Sequence, residues 1–228
     1  IKKNGLTNWN NSIQNLHNTI DAKNNQSSSF KRLVFDELCA NFITLSENRK
    51  RIRKIKLPKK FQNKFSQKIL DYLPFELTKS QKIVLSEINE DLLSNKRMFR
   101  IIQGDVGSGK TIVSLLSILN VIKSGYQCAL MGPTEILAKQ HYELTKKILK
   151  VDNLKIEFLS GKTEYKKRKE ILNNLKEGKI DLLIGTHSLF QKKISFKKLG
   201  LVVIDEQHKF GVKQRSDLAK KGGDECDV

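Results

Sequence analysis

The stretch QGDVGSGKTI (Gln103–Ile112) decides how the rest of this 228-residue chain is interpreted. It matches the pattern G-x-x-x-x-G-K-[ST], with Gly104 and Gly109 as the glycines and Lys110 and Thr111 as the closing pair. Glycine allows the tight turn that aims backbone N–H groups at phosphate oxygens, and the start of a following helix adds a favourable dipole. The stretch therefore predicts a phosphate-binding loop between a strand and a helix.

Short apolar runs alternate with amphipathic segments on both sides of this loop. Segments with helical period lie at 111–125, 134–150 and 164–178. Strands that are apolar throughout are buried on both faces, so the pattern predicts an α/β fold with a parallel sheet wrapped by helices. Ligands of such a sheet bind beyond the carboxyl ends of its strands. The predicted strands are FRIIQGD (99–105), QCALMGP (127–133), KIEFLSG (155–161), IDLLIGT (180–186) and LGLVVIDE (199–206).

The last of these strands ends in two adjacent acids, Asp205 and Glu206. Like charges repel unless a cation lies between them, so an acid pair at a strand end indicates a metal site, although the pair taken alone could be an ordinary strand terminus. One carboxylate would bind the metal, usually through water, and the next would orient and polarise an attacking water. With the phosphate loop upstream, Lys110 would bridge the β and γ phosphates of a nucleotide, while Thr111 and Asp205 would hold Mg²⁺. The predicted catalytic residues are Lys110, Asp205 and Glu206.

Composition limits the partners and the compartment. The chain has 43 Lys and Arg against 24 Asp and Glu, a net charge of +19 that attracts polyanions, so nucleic acid is the expected partner. No apolar run approaches the ~18 residues of a membrane span, and the N-terminal residues lack the apolar core of a secretory signal. Cys39, Cys128 and Cys226 lie far apart, without the spacing of a disulfide framework or a zinc site. A cytoplasmic location is expected.

The N-terminal part differs in character from the rest. Residues 1–29 are polar and rich in Asn and Ser, which predicts a poorly ordered approach segment. Residues 30–73 are predicted to be a helical basic connecting segment, because apolar residues recur at helical spacing from Leu33 to Leu45. The run at 49–64 has nine Lys or Arg and no acid. It is either a solvated linker or a phosphate contact, and the sequence does not decide between them.

The acid pair resembles the second motif of superfamily 2 helicases and translocases, which reads D-E-x-H and is DEQH here. PFELTKSQ (74–81) resembles the family's adenine-reading segment, GPTEILAKQH (132–141) resembles motif Ia, and GTHSLF (185–190) resembles the motif that touches the DNA backbone. IQGDVGSGKT, ALMGPTEILAKQH and the upstream FDEL (35–38) make the chain similar to RecG-type fork-remodelling helicases over most of 30–228.

This resemblance implies a RecA-like fold of the P-loop NTPase class: a parallel sheet with helices on both faces, preceded by a short helical segment. Residues 74–228 would be the first motor lobe, incomplete at its C-terminal end, with ATP and Mg²⁺ as cofactors. Gln81 would hydrogen-bond the adenine edge, and His208 would sense the γ-phosphate. The other implied ATP-binding residues are Gly104, Gly107, Ser108, Gly109, Lys110 and Thr111.

The resemblance also implies a grip on the DNA backbone rather than on the bases. The implied DNA-contacting residues are Pro133, Thr134, Gly185, Thr186 and His187. An ordinary structural histidine is the alternative for His187 and for His208.

For the complete protein, the resemblance implies a monomer that uses ATP to translocate on duplex DNA and drives replication forks and Holliday junctions backward. The chain is expected to be a fragment without the second motor lobe and its arginine fingers, and therefore poorly active alone. Transcription-repair coupling factor is the nearest alternative, although it typically has Phe in the phosphate loop and D-E-E-H where this chain has Ser108 and Gln207. The primosome helicase is more distant. A nucleotide-gated nucleic-acid binding module is the other open class, and the presence of Glu206 argues against it.

Overall fold

The chain divides into two compact units, Ile1–Ile52 and Arg53–Val228. This division falls inside the predicted connecting segment, and the predicted domain limits stay predictions. Other parts of the approach and connecting segments, at 1–5, 19–26, 61–69 and 71–72, lie outside the described residues. The computed structural model describes residues 6–18, 27–52, 55–60, 70, 73–149, 153–191, 193–210 and 221–228.

Two helices form the described part of the first unit, α1 (Trp9–His17) and α2 (Ser28–Ile52). The side chain of Asn8 accepts a hydrogen bond from the Asn10 N–H at 2.9 Å and so caps the start of α1. Arg32 on α2 donates to the carbonyl of Thr7 at 3.0 Å. The predicted helical segment before the sheet-containing part of the chain is confirmed. The approach segment was expected to have little structure. The structure differs from this expectation, because α1 is a capped polar helix that packs on α2.

Four strands form one parallel sheet in the second unit, in the order β2-β3-β1-β4. They are β1 (Gln127–Met131), β2 (Ile156–Leu159), β3 (Leu182–Gly185) and β4 (Leu199–Ile204). The α-helices of this unit whose bounds the structure describes are α3 (Lys79–Leu93), α4 (Lys110–Lys123), α5 (Glu135–Ile148) and α6 (Tyr165–Glu177). The predicted parallel sheet is confirmed, and four of the predicted strands lie where the apolar runs placed them.

Successive residues of β1 pack into two different cores. Cys128 and Leu130 join a cluster that contains apolar residues of α3 and α4, whereas Ala129 and Met131 join a cluster that contains Ile171 of α6. Side chains alternate between the faces of a strand, so the two clusters cover opposite faces of the sheet. Helices on both faces are therefore confirmed. Within the part of the chain that the structure describes, no helix combines the length and apolarity needed to cross a membrane.

The strand predicted at FRIIQGD is not present as a regular strand. Phe99 and Ile101 are 52% and 69% exposed, where a central strand would bury both faces. The Arg100 N–H bonds the carbonyl of Val228 at 3.0 Å, and the Val228 N–H bonds the carbonyl of Met98 at 3.1 Å. The segment is extended but pairs with neighbouring backbone over this short stretch, and an apolar run forms a strand only where a partner runs along it.

Two lysines of the basic run at 49–64 are buried. At these two positions the run is therefore neither a solvated linker nor a phosphate contact, and both interpretations are corrected there. The ammonium groups of Lys56 and Lys59 lie 2.6 and 2.5 Å from the same carboxylate oxygen of Asp227, and all three side chains are fully buried. The other oxygen of Asp227 accepts the Met98 N–H at 2.7 Å. Burial lowers the pKa of Lys56, and the hydrogen bond to Asp227 opposes that lowering. Lys56 and Lys59 are therefore structural cations.

Gly185, at the end of β3, is expected to tolerate no side chain. A Cβ at this position would overlap the carbonyl oxygen of Leu159 on the adjacent strand. Gly185→Ala should lower the free energy of unfolding by ~1–3 kcal/mol, the usual range for overpacking, as measured by urea denaturation. Gly161→Ala is the control, because a Cβ there has no neighbour within 4 Å. Equal destabilisation by both changes would contradict a close approach specific to Gly185.

Candidate active site

Three turns come together at the carboxyl end of the sheet because β1 lies between β3 and β4. Met131, the last residue of β1, is in register with Gly185 and with Ile204. The Gly132 N–H bonds the carbonyl of Gly185 at 2.9 Å, and the Asp205 N–H bonds the carbonyl of Met131 at 2.9 Å. The turn predicted to contact DNA after β1 therefore lies beside the turn that carries the acid pair.

The phosphate loop has the backbone conformation that its glycines indicate. Gly107 and Gly109 have φ values of 82° and 80°, in the left-handed region that residues with a side chain rarely adopt. Gly109 immediately precedes α4, so the loop leads into a helix N-terminus. Such a terminus combines unpaired N–H groups with a favourable dipole for anions. The predicted loop therefore leads into a helix, as expected for its C-terminal side.

Lys110 is held by the loop itself. Its ammonium donates hydrogen bonds of 2.6 Å to the carbonyls of Gly104 and Asp105. The cation therefore lies against the backbone of the loop itself. Thr111 follows in the first turn of α4, partly buried, at the position predicted to contribute a metal ligand.

Gln81 is attached to the phosphate loop. Its side-chain Nε2 donates to the carbonyl of Ser108 at 2.9 Å, while its Oε1 accepts the Thr78 N–H at 2.9 Å in a capping box at the start of α3. A Cβ on Gly109 would collide with this amide. Glycine is therefore required at this position both because the Gln81 side chain lies so close and because φ is positive. Both ends of the Gln81 amide are engaged, and reading a base edge would require one of these bonds to be exchanged.

Asp205 has a partner that the sequence did not single out. The Nε2 atom of His141, on α5, lies 2.8 Å from Oδ2 of Asp205. The bond to His141 lowers the pKa of Asp205, partial burial opposes this, and the positive charge of Lys110 adds to the lowering. Helical spacing is the sequence signal that could have indicated His141. It lies on the same face of α5 as Ala138, three residues before it, and Thr145, four residues after it, and both of these are fully buried.

Glu206 has a strained backbone, with φ 50° and ψ 51°. Its N–H bonds Oδ1 of Asp205 at 3.0 Å, and its carboxylate lies 3.3 Å from Nδ1 of His208. Both side chains of this second pair are largely exposed. The structure therefore brings Asp205, Glu206 and His208 together in one turn, and the sensing role of His208 stays a prediction.

The predicted DNA-contacting residues fall into two groups. Thr134 and His187 are exposed, and Thr134 also accepts the Leu137 N–H at 3.2 Å as the N-cap of α5. Gly185 and Thr186 are buried, with Thr186 only 4% exposed, and their contact with DNA also stays a prediction. Contact through backbone groups of this turn, and contact by Pro133, stay predictions.

The residues present fit a Mg²⁺ site completed by a nucleotide. In the described part of the chain, no group of three or more His, Cys, Asp or Glu side chains converges as a metal cage. Mg²⁺ is commonly bound through one or two carboxylates together with waters and substrate phosphates. Asp205 offers an ionised carboxylate that is about one-third exposed, and its charge is favoured by Lys110.

Comparison with known proteins places this geometry in a family context. Residues 78–224 match the model of the DEAD/DEAH box helicase family. The chain is 46% identical to the ATP-dependent DNA helicase RecG of Aquifex aeolicus over 216 residues, which is 92% of this chain and 27% of that protein. It is 45% identical to RecG of Thermotoga maritima over 84% of this chain and 25% of that protein. The chain thus spans about a quarter of the length of these curated relatives.

Solved structures agree with the sequence relatives. RecG bound to a three-way DNA junction superimposes with a TM-score of 0.73 and 41% identity, covering 81% of this chain and 25% of that one. A hypothetical ATP-dependent RNA helicase from Sulfolobus tokodaii gives a TM-score of 0.55 at 17% identity, over 73% of this chain and 49% of that chain. The second likeness supports the fold alone.

Lys110→Ala is expected to remove most of the affinity for ATP, because it deletes a charged donor next to the phosphates. Hydrogen bonds to charged groups contribute ~1.5–3 kcal/mol each, which corresponds to about 10- to 100-fold per bond. Binding of a fluorescent ATP analogue measures the loss. Lys139→Ala is the control, because Lys139 is an exposed lysine on α5. A Lys110→Ala protein that binds ATP like the control would remove Lys110 from the phosphate site.

Proposed function

This chain belongs to the DEAD/DEAH box helicase family, and from that premise we propose that it is the ATP-binding lobe of a RecG-type DNA helicase. The complete protein would couple ATP hydrolysis to translocation on duplex DNA. It would remodel branched DNA by reversing replication forks and migrating Holliday junctions, in recombination and repair. Support comes from the RecG relatives and from the RecG structure with a three-way junction.

One observation supports the coupling of ATP to DNA most directly. The backbone bond from the Asp205 N–H to the Met131 carbonyl joins the acid-pair turn to the end of β1, two residues before Pro133 and three before Thr134. A change of conformation at the acid pair is therefore one strand away from the predicted DNA turn. Rigid, packed elements transmit such displacements better than flexible loops, because they shift as units.

The chemistry proposed for the site follows from the groups present. Lys110 would hold the β and γ phosphates, and Asp205 and Thr111 would hold Mg²⁺, which when bound neutralises charge on those phosphates. Glu206 would accept a hydrogen bond from the attacking water and orient it toward the γ-phosphate. Gln81 would exchange its bond to the Ser108 carbonyl for one to the adenine edge.

DNA recognition is proposed to depend on phosphate charge and junction shape. The excess of 19 positive charges favours polyanions, and it makes binding sensitive to salt. The exposed Thr134 and His187 would contact backbone phosphates, which carry no sequence information. The function would then be independent of base sequence.

The compartment and the assembly state are also part of the proposal. Cys39, Cys128 and Cys226 are free thiols. Burial raises the pKa of Cys226 to about 12 and raises that of Cys128 as well, so these two thiols are structural and unreactive. Free thiols suit a reducing compartment, and we place the protein in the cytoplasm, acting as a monomer.

Branched DNA should stimulate ATP hydrolysis by the complete gene product more than linear duplex does. The test compares steady-state turnover at low salt with a synthetic three-way junction and with a linear duplex of the same length and composition. Fork regression by the same protein is followed on a labelled junction. Equal stimulation by the two DNAs without regression would favour a duplex translocase like transcription-repair coupling factor. Junction binding gated by ATP without hydrolysis would favour a binding module.

Glu206→Gln is expected to reduce ATP turnover by about 10²–10⁴-fold, the usual contribution of general acid–base catalysis, while leaving ATP binding intact. Turnover and equilibrium binding of ATP are measured on the complete gene product. Glu170→Gln on α6 is the matched control, because it makes the same chemical change at an exposed position. Normal turnover by Glu206→Gln would exclude Glu206 from orienting the water.

A further inference from the structure

Asp205 is held at both of its carboxylate oxygens. Oδ1 accepts the backbone N–H of Glu206 at 3.0 Å, and Oδ2 lies 2.8 Å from Nε2 of His141. An ionised carboxylate only accepts hydrogen bonds, so His141 donates through Nε2–H. The terminal torsion of an aspartate is otherwise broad, and these two bonds fix it. Two of the four lone-pair directions remain available for a metal or its water.

His141 is itself fixed by the packing of α5. The hydroxyl of Thr145 donates to the carbonyl of His141 at 2.6 Å. One turn before His141, the fully buried Ala138 packs against the backbone of Gly132, where an added Cβ would lie only 3.0–3.2 Å from Ala138 atoms. The imidazole is 13% exposed. The donor therefore projects from a rigid element, which is what precise placement of a ligand requires.

The helix that carries His141 begins at the turn predicted to contact DNA. Thr134 is the N-cap of α5, and His141 follows seven residues later, which is about two helical turns or ~10 Å along the axis. The bond to Asp205 spans 64 positions of sequence and joins α5 to the turn after β4. This side-chain bond links α5 to the acid-pair turn, whereas the backbone bond at Met131 links β1 to the same turn.

We propose that His141 is a positioning residue of the proposed ATPase site, which orients the Asp205 carboxylate toward Mg²⁺ through the Nε2–Oδ2 hydrogen bond. This inference rests on the proposed function, because it assigns a role toward the metal that Asp205 would hold. Residues that hydrogen-bond metal ligands typically contribute 10- to 100-fold to metal affinity or activity. His141 contributes by fixing the geometry of the Asp205 carboxylate, not by direct contact with substrate.

The test compares two substitutions of similar size in the complete gene product. His141→Gln keeps an N–H donor at a similar reach, and His141→Leu removes it. Gln140→Leu on the exposed face of α5 is the matched control. Three quantities are measured: the Mg²⁺ concentration for half-maximal binding of a fluorescent ATP analogue, the affinity of that analogue in EDTA, and Mn²⁺ binding by electron paramagnetic resonance. Circular dichroism checks that each variant is folded.

His141→Leu should raise the half-saturating Mg²⁺ concentration by about 10- to 100-fold and weaken Mn²⁺ binding correspondingly. Its nucleotide affinity in EDTA should match that of the wild type, and His141→Gln should recover most of the metal affinity. A structural role alone would lower the affinity with and without metal equally. That result, or a wild-type Mg²⁺ requirement in His141→Leu, would overturn the proposal.

If His141→Leu does not fold, His141→Asn replaces it, because its amide is one methylene shorter and falls short of Oδ2. Equal metal requirements in the Gln and Asn variants would then overturn the proposal. The failure of the wild-type protein to bind the ATP analogue would instead overturn the proposed function. If the wild-type protein binds the analogue normally and His141→Leu has an unchanged Mg²⁺ requirement, only the role of His141 is overturned.

Discussion

The central position of β1 is the constraint on which the site depends. All five of its residues are buried, and it pairs in parallel with β3 on one side and β4 on the other. Parallel neighbours in this register end at the same level, so the chain must turn three times at one edge of the sheet. The acid pair, the turn after β1 and the turn after β3 are adjacent for this reason. Their separation in sequence is large, and only the sheet brings them together.

The sequence was sufficient for the features that depend on local pattern. Strands buried on both faces leave nearly continuous apolar runs, and β1 to β4 were located by them. The phosphate loop was identified because its glycines meet a local backbone requirement, seen in the positive φ of Gly107 and Gly109. The run at 99–105 has the same local pattern. The backbone that a strand would need as its pairing partner along the sheet edge cannot be inferred from the run itself. The prediction of a strand there was wrong for that reason.

The features that the sequence did not indicate are long-range polar pairs. His141 and Asp205 are 64 positions apart, and Lys56 and Asp227 are 171 positions apart. Nothing near Lys56 in the sequence distinguishes it from the exposed lysines of so basic a chain. A buried ion pair carries a desolvation penalty that can exceed its Coulombic gain. A charged lysine at this position is therefore expected to be exposed. The bonds of the two ammonium groups to Asp227 and to backbone carbonyls offset part of that penalty.

The backbone at Glu206 gives an independent argument that this turn is built for its carboxylates. A residue with a side chain in the left-handed region is disfavoured by ~1–2 kcal/mol, and glycine would adopt the same conformation without that penalty. The conformation is nevertheless held by two hydrogen bonds of the Glu206 backbone: its N–H donates to the side-chain Oδ1 of Asp205, and its carbonyl accepts the Lys209 N–H at 2.9 Å. A turn needed only to end β4 would be relaxed by glycine. Retaining a carboxylate at a strained position is typical of residues that act on a ligand, where strain is offset by function. The Glu206 N–H that takes part in this strained turn also bonds Oδ1 of Asp205, so one hydrogen bond contributes both to the backbone of Glu206 and to the orientation of the Asp205 carboxylate.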